Sequence, residues 1–146
     1  MMSEYDPNYK SVPVTAKVGF KAVVFNPEDE VLFLRRSSKC SRAGGWDFPG
    51  GGIEFGEDPY VGIEREVTEE TQLVVSDVTV VNVESVVDAK GEFAIIIGFK
   101  AHTNGVDPVL SWEHDGFGWV SREDSVNMDL PEMHKNILLK ALSDIR

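Results

Sequence analysis

A run of charged residues in the middle of the chain has the types and spacing that could hold a divalent cation. Residues 65–70 read Arg-Glu-Val-Thr-Glu-Glu, and a further carboxylate, Glu57, lies upstream. Hard cations such as Mg²⁺ bind oxygen ligands from one or two carboxylates and keep several of their waters. A cation held in this way could neutralise phosphate oxygens and help to activate water for hydrolysis. The run is therefore a candidate metal site for phosphate chemistry.

These carboxylates differ in their positions around the helix that we expect from Pro59 to about Thr71. On a helical wheel, Glu66 and Glu70 fall beside the stripe that should be buried. Glu69 lies further round, and Arg65 lies on the far side. The stripe itself is formed by Tyr60, Ile63 and Val67. Glu66 and Glu70, one helical turn apart, are therefore expected at the edge of the core.

Two interpretations of Glu66 and Glu70 are open from the residues alone. Like charges at this spacing destabilise a helix by about a few tenths of a kcal/mol per pair, and partial burial adds a desolvation cost. A bound cation would offset both costs, but an ordinary amphipathic helix is the alternative. The glycines at residues 50–52 favour the cation, because they let a backbone approach a ligand closely. The loop lacks the Gly-x-x-x-x-Gly-Lys-Ser/Thr pattern, so P-loop chemistry is disfavoured.

Residues 51–73 resemble the Nudix box of the Nudix hydrolases. The match runs Gly51, five residues, Glu57, seven residues, then Arg65-Glu66-Val67-x-Glu69-Glu70-x-x-Leu73. The flanking segments 46–51 and 118–120 are also similar to the family. Gln72 departs from the pattern, because the family usually has Gly there. That glycine suits a left-handed helix end, which costs other residues about 1 kcal/mol. We expect the departure to affect the helix terminus and not the carboxylates.

The resemblance implies an α+β fold in which a mixed β-sheet lies between helices as an α/β/α sandwich. It also implies a hydrolase that cleaves a phosphoanhydride bond in a nucleoside diphosphate linked to another group, with Mg²⁺ or Mn²⁺ as cofactor. Small size favours a nucleoside triphosphate, cut to a monophosphate and pyrophosphate, by analogy. Dinucleoside polyphosphates and nucleotide sugars are the alternative substrates. A non-catalytic module that senses nucleotides is the alternative of another class.

Carried over position by position, the resemblance also implies roles for individual residues. The implied metal ligands are the Gly50 carbonyl, Glu66, Glu69, Glu70 and Glu113. The implied catalytic group comprises Glu66, Glu69, Arg65 and Glu57. In this group Glu69 is a further ligand or the base that activates water, Arg65 orients a neighbouring glutamate, and Glu57 supports the box through an ion pair. Glu113 is included because family members often place a carboxylate from this region near the metal.

Four residues near the glycine-rich loop are candidates for binding the substrate. Guanidinium groups suit phosphate oxygens, so Arg35 or Arg36 could contact them, although paired arginines at a strand end usually face solvent. Trp46 or Phe48 could stack on a base, with core packing as the alternative. His134 is in register with apolar residues of the last predicted helix, which favours a packed histidine.

Composition limits the partners and the compartment. The formal charge of −11, without a dense Lys/Arg run, argues against a nucleic-acid polymer as partner. No stretch approaches the roughly 20 apolar residues needed to cross a bilayer, and the acidic start lacks the apolar region of a signal peptide. The single cysteine, Cys40, excludes an internal disulfide and favours a reducing cytoplasm. We expect a small nucleotide as partner and no membrane, and a homodimer is left open.

The remaining pattern predicts one domain, residues 1–146, with residues 1–13 as an irregular lead-in. Strands are predicted at 14–25 and 31–34 as a hairpin, then at 73–87, 92–100 and 116–120. The segment 37–55 is predicted to be a structured loop, because Trp46 and Phe48 interrupt its glycines and serines. A last helix begins at Pro131, with apolar residues repeating at helical spacing as far as Ile145.

Overall fold

The computed structural model describes residues 3–143 of the chain, so Ile145 of the last predicted helix lies outside the described residues. The strands are β1 (Lys17–Phe25), β2 (Val31–Arg36), β3 (Trp46–Asp47), β4 (Val75–Val87), β5 (Phe93–Thr103) and β6 (His114–Val120). The helices are α1 (Pro59–Thr71), α2 (Arg122–Ser125) and α3 (Glu132–Leu142). The irregular lead-in extends to residue 16. No helix within residues 3–143 is both long and apolar enough to cross a bilayer.

The six strands form one mixed sheet between two helical layers. The order is β3-β2-β1-β5-β4, and β6 pairs with β2. Strands β1 and β5 are parallel, while the other pairs are antiparallel. Helix α1 packs on one face around Phe20, Leu34 and Phe99. Helix α3 packs on the other face around Phe25 and Phe33. This arrangement confirms the predicted α+β sandwich.

The predicted hairpin of β1 and β2 exists only at its tip. The two strands pair at Phe25 and Val31 and then separate. The glycine-rich loop fills the gap along β1: the Phe20 N–H donates to the Gly51 carbonyl at 2.7 Å, and the Ala22 N–H donates to the Pro49 carbonyl at 2.9 Å. The loop is therefore fixed to the sheet by backbone hydrogen bonds, which satisfy donors that β2 leaves free.

Two short elements and one burial pattern differ from the sequence prediction. Strand β3 and helix α2 were not predicted, because a two-residue strand and a four-residue helix carry no periodicity to detect. The apolar run at 94–97 predicts a strand buried on both faces, but the segment is only half buried. Here β4 and β5 extend beyond the helices, and β5 reaches full burial only around Phe99.

Gln72 ends α1 in the left-handed conformation that the box pattern assigns to glycine. Its φ and ψ are 57° and 14°, and its N–H donates to the Thr68 carbonyl at 2.9 Å. The next residue, Leu73, is buried in the core beside α1. The helix therefore ends where the prediction placed it, and a non-glycine residue carries the strain of the left-handed turn.

We expect Gln72→Gly to stabilise the protein by about 0.5–1 kcal/mol, because relief of the left-handed strain exceeds the added freedom of glycine in the unfolded chain. Urea unfolding of the metal-free protein measures the difference. Val74→Gly is the control, since Val74 is exposed and its backbone is not left-handed. The control should lose about 0.5 kcal/mol. Equal losses in both variants would contradict the strain at Gln72.

Candidate active site

The glycine-rich loop approaches its neighbours too closely for side chains at two positions. A Cβ atom on Gly50 would collide with the Phe20 carbonyl of β1. A Cβ atom on Gly51 would lie 2.5 Å from the Glu66 Oε2 atom. Because backbone atoms of β1 cannot move aside, Gly50 requires glycine, whereas a side chain at Gly51 would displace the Glu66 carboxylate. The loop backbone therefore lies directly against a carboxylate of α1.

Glu66 and Glu70 are withdrawn from water at this contact, as the helical wheel predicts. Glu66 is 9% exposed and Glu70 is 2% exposed. Burial raises the pKa of Glu66. Burial also raises the pKa of Glu70 to about 8, against the opposing charge of Lys21 and with a further contribution from Glu113. The Gly50 N–H donates to the Glu70 Oε2 atom at 3.3 Å. Both carboxylates thus occupy sites that favour a neutral side chain or an added positive charge.

Arg65 connects the other carboxylates of the helix. Its Nε and Nη2 atoms donate to Glu57 at 2.7 Å and 2.9 Å, and its Nη1 atom donates to Glu66 Oε1 at 3.0 Å and to Glu69 Oε2 at 3.2 Å. The hydrogen bonds from Arg65 lower the pKa of Glu57 to about 2. Glu57 is therefore a permanent anion that holds the guanidinium between Glu66 and Glu69.

Glu113 and His114 complete the group from the other side of the cleft. Glu113 is half buried at the start of β6, and its charge further raises the pKa of both Glu66 and Glu70. His114 is buried, with its Nδ1 atom 3.9 Å from Glu70 Oε2, and burial lowers its pKa. Among the described residues that Nδ1 atom has no hydrogen-bond partner. A neutral imidazole beside Glu70 provides no compensating charge.

The arrangement of a glycine-rich loop, an acidic helix and a supporting arginine agrees with a comparison of the whole chain. The family described as NUDIX domain matches residues 15–141. The chain belongs to the Nudix family.

Tyr60 departs from the helical wheel of the box helix, because it is half exposed. Its ring still packs edge-on against Phe99, with the ring centroids 5.6 Å apart.

Similar proteins extend this assignment over most of the chain. A MutT-like protein of Streptomyces ambofaciens is 29% identical over 138 residues, which cover 93% of this chain and 83% of that protein. The crystal structure of the MutT protein from Methanosarcina mazei Go1 has a TM-score of 0.72 at 29% identity and covers 90% of this chain and 96% of that one. An RNA pyrophosphohydrolase of Bartonella quintana (strain Toulouse) is 41% identical over 71 residues, covering 45% of this chain and 40% of that protein.

The four predicted substrate-binding residues fall into different environments around the Nudix box. Arg35 is half exposed and pairs with Asp115 at 2.7 Å. Arg36 turns inward and donates to Asp47 at 2.8 Å. Trp46 is half buried against the core on the α3 side. Phe48 is fully buried, 5.2 Å from the Phe33 ring, so it is a core residue here and offers no face to a base.

Sequence reasoning missed two charged residues beneath the loop, Asp47 and Lys21. Asp47 is 1% exposed and lies 3.0 Å from the Lys21 ammonium. A lone lysine inside a strand carries no sequence signal for a buried ion pair. The adjacent Phe48, in contrast, indicates that residues around position 47 approach the core. The pair becomes recognisable only once the loop is placed against β1.

The residues of the Nudix box fit a divalent cation, although within residues 3–143 no three His, Cys, Asp or Glu side chains already converge on one point. Mg²⁺ needs only one or two carboxylates, because waters and backbone oxygens complete its shell. The buried carboxylates of Glu66 and Glu70 supply the charge, and they lie against the loop backbone, Glu70 at Gly50 and Glu66 at Gly51. Glu69 and Glu113 lie at the edge of the same group and could add oxygens.

The raised pKa of Glu70 predicts how the metal-free protein responds to pH. Because the folded state holds this proton up to about pH 8, whereas an ordinary carboxyl releases it near 4.5, the folded state binds more protons between these values. The free energy of unfolding should therefore fall as pH rises from about 5 to about 8, by up to roughly 2–4 kcal/mol, and then level off. Urea unfolding in a chelator at several pH values measures this slope.

Two variants of α1 isolate the contribution of Glu70. Glu70→Gln is neutral at every pH, so its stability should decline less over the same interval. Glu64→Gln alters an exposed glutamate of the same helix and should keep the slope of the parent protein. If the Glu70→Gln variant shows the parent's slope, the carboxyl of Glu70 is not perturbed by burial.

Proposed function

We propose that this Nudix protein is a magnesium-dependent pyrophosphohydrolase that cleaves a phosphoanhydride bond in a nucleoside diphosphate linked to another group. The observation that supports the proposal is the burial of Glu70 and Glu66 against the loop backbone at Gly50 and Gly51. Buried carboxylates without a compensating charge are costly, and a divalent cation supplies that charge. Manganese, with similar oxygen ligands, is a second candidate metal.

The roles of the box residues follow from their contacts. Glu66, Glu70 and the Gly50 carbonyl would hold the cation, with Glu69 or Glu113 as a further ligand. When bound, magnesium supplies positive charge for the phosphate oxygens and promotes ionisation of water. Arg65 fixes the orientation of Glu66 and leaves Glu69 at the exposed edge, where it can accept the proton of the attacking water.

Nucleoside triphosphates are the substrate class that we propose first, with a nucleoside monophosphate and pyrophosphate as products. The small size of the chain, 146 residues, favours this choice by analogy. Arg35, half exposed on β2 and paired with Asp115, would exchange that partner for a phosphate. The net charge of −11 makes an RNA chain a poorer substrate than a free nucleotide, because a polyanion would be repelled over a larger surface.

A phosphate-release screen across nucleotide classes, with added pyrophosphatase and with or without magnesium, tests this function. We expect magnesium-dependent release from nucleoside triphosphates that requires the pyrophosphatase. Release from dinucleoside polyphosphates or nucleotide sugars would redirect the substrate assignment. Nucleotide binding in magnesium without any product would favour a sensing module and overturn the assignment as an enzyme.

We expect Glu70→Gln to lower magnesium-dependent turnover by roughly 100-fold or more, because the variant loses a metal ligand and the charge stabilisation that depends on it. The fold should persist, since a glutamine can keep the hydrogen bond from Gly50. Initial rates at saturating substrate measure the loss, and circular dichroism checks the fold. The exposed Glu64→Gln variant should retain the parent rate. Full activity of Glu70→Gln at an unchanged magnesium requirement would refute the role of Glu70.

A further inference from the structure

Asp47 is the centre of a buried ionic cluster beneath the glycine-rich loop. Its carboxylate accepts hydrogen bonds from the Arg36 guanidinium at 2.8 Å and from its own neighbour, the Phe48 N–H, at 2.8 Å. The Lys21 ammonium lies 3.0 Å away, and the His134 Nε2 atom of α3 lies 2.8 Å away. Burial opposes ionisation, but these bonds and charges hold the pKa of Asp47 well below its ordinary range.

Lys21 belongs to this cluster and also acts on the Nudix box. Its ammonium donates to the Phe48 carbonyl at 3.3 Å, two residues before Gly50. Its Cα atom lies against Gly50, since a Cβ atom on that glycine would come within 2.9 Å of it, and the Gly50 N–H donates to Glu70 Oε2 at 3.3 Å. Lys21 and Glu70 are therefore neighbours of the same loop residue, and the positive charge of Lys21 opposes the rise in the pKa of Glu70. Among the described residues, however, its ion pair is with Asp47 and none joins it to Glu70. One ammonium thus lies between two buried carboxylates and is bound to only one of them.

Because the side chain of lysine is flexible, the ammonium of Lys21 can exchange one carboxylate partner for the other. An ammonium is a compact charge on four rotatable carbons, so it can move towards the stronger of two nearby anions. With Asp47 ionised, the cluster retains the ammonium. Without that charge, the buried carboxyl of Glu70 would be the alternative partner for Lys21. On losing its proton beside the ammonium, Glu70 would form an ion pair that occupies the oxygens that a divalent cation needs.

We propose that Asp47 is a positioning residue of the metal site, which retains the ammonium of Lys21 and so keeps Glu70 free to bind a divalent cation. The role rests on the proposed function, because it presumes a cation at Glu66 and Glu70. Asp47 acts entirely through Lys21. If Asp47 had only a structural role, it would support the loop whether Lys21 or another cation neutralised its charge.

Three variants separate these two roles: Asp47→Asn, Lys21→Met and the double variant that carries both. The single Asp47→Asn change leaves an ammonium without its anion, whereas the double variant removes both charges together. Binding of Mn²⁺, followed by the electron paramagnetic resonance signal of the free ion, reports on the site without any turnover. Urea unfolding of each variant verifies that it is folded.

We expect Asp47→Asn to bind Mn²⁺ about 10-fold or more weakly than the parent, because Lys21 competes for Glu70. Lys21→Met should bind at least as tightly as the parent, and the double variant should match Lys21→Met within about 3-fold. This last comparison remains decisive even where Asp47→Asn alone does not fold. At saturating magnesium the turnover of Asp47→Asn should approach that of the parent, because excess cation displaces the ammonium.

Parent-like binding by a folded Asp47→Asn variant would refute the proposal. A double variant that binds Mn²⁺ about 10-fold more weakly than Lys21→Met would also refute it, since Asp47 would then act without Lys21. If Lys21→Met binds Mn²⁺ more weakly than the parent, the positioning residue is Lys21 and not Asp47, which also refutes the proposal. A parent protein that binds no Mn²⁺ would refute the proposed metal site as a whole, which separates failure of the function from failure of this inference.

Discussion

Two carboxylates, Glu66 and Glu70, are held out of water beside a backbone loop that approaches them too closely to carry side chains. The fold imposes this arrangement, because the loop takes the place of a neighbouring strand along β1 and is fixed there by backbone hydrogen bonds. Helix α1 must then pack its stripe against the same sheet, which brings its buried glutamates against Gly50 and Gly51. The desolvation cost is therefore a consequence of packing that no side-chain rotation relieves.

The cations of the protein surround this pair without neutralising it fully. Arg65 bonds Glu66 but also pairs with Glu54, Glu57 and Glu69, so its charge is divided among four carboxylates. Lys21 lies on the other side and is paired with Asp47. His114 lies with its Nδ1 atom 3.9 Å from Glu70 Oε2, and burial lowers its pKa, so it adds no positive charge. The result is a pair of carboxyl groups whose ionised form lacks full compensation in a poorly hydrated place, which is the electrostatic condition that favours a small, hard cation.

The sequence predicted the parts of this site that depend on local pattern. Helical periodicity placed Glu66 and Glu70 beside the core and Glu69 outside it, and the Asp-Pro start located the first residue of α1. Periodicity could not predict that β1 and β2 separate, because strand pairing beyond a turn depends on what else competes for the edge. The Asp47 cluster was hidden for the same reason, since its partners come from β1, β2 and α3. Tyr60 lies on the predicted stripe but near the helix start, where the sheet no longer covers it.

Under the proposed function, phosphate chemistry and substrate choice would belong to different parts of this site. The carboxylates of Glu66 and Glu70 are buried against the loop backbone, so these two positions leave little room for other side chains. Arg35, in contrast, forms an exposed ion pair with Asp115, and such pairs contribute only about 0–1 kcal/mol. Exchange of Asp115 for a phosphate oxygen therefore costs little, and the bidentate geometry of the guanidinium favours the phosphate. Trp112 is exposed beside Glu113, so a large apolar surface lies next to the acidic group. Adaptable contacts of this kind, at the rim of a rigid site, are where discrimination between leaving groups can arise without disturbing the buried carboxylates.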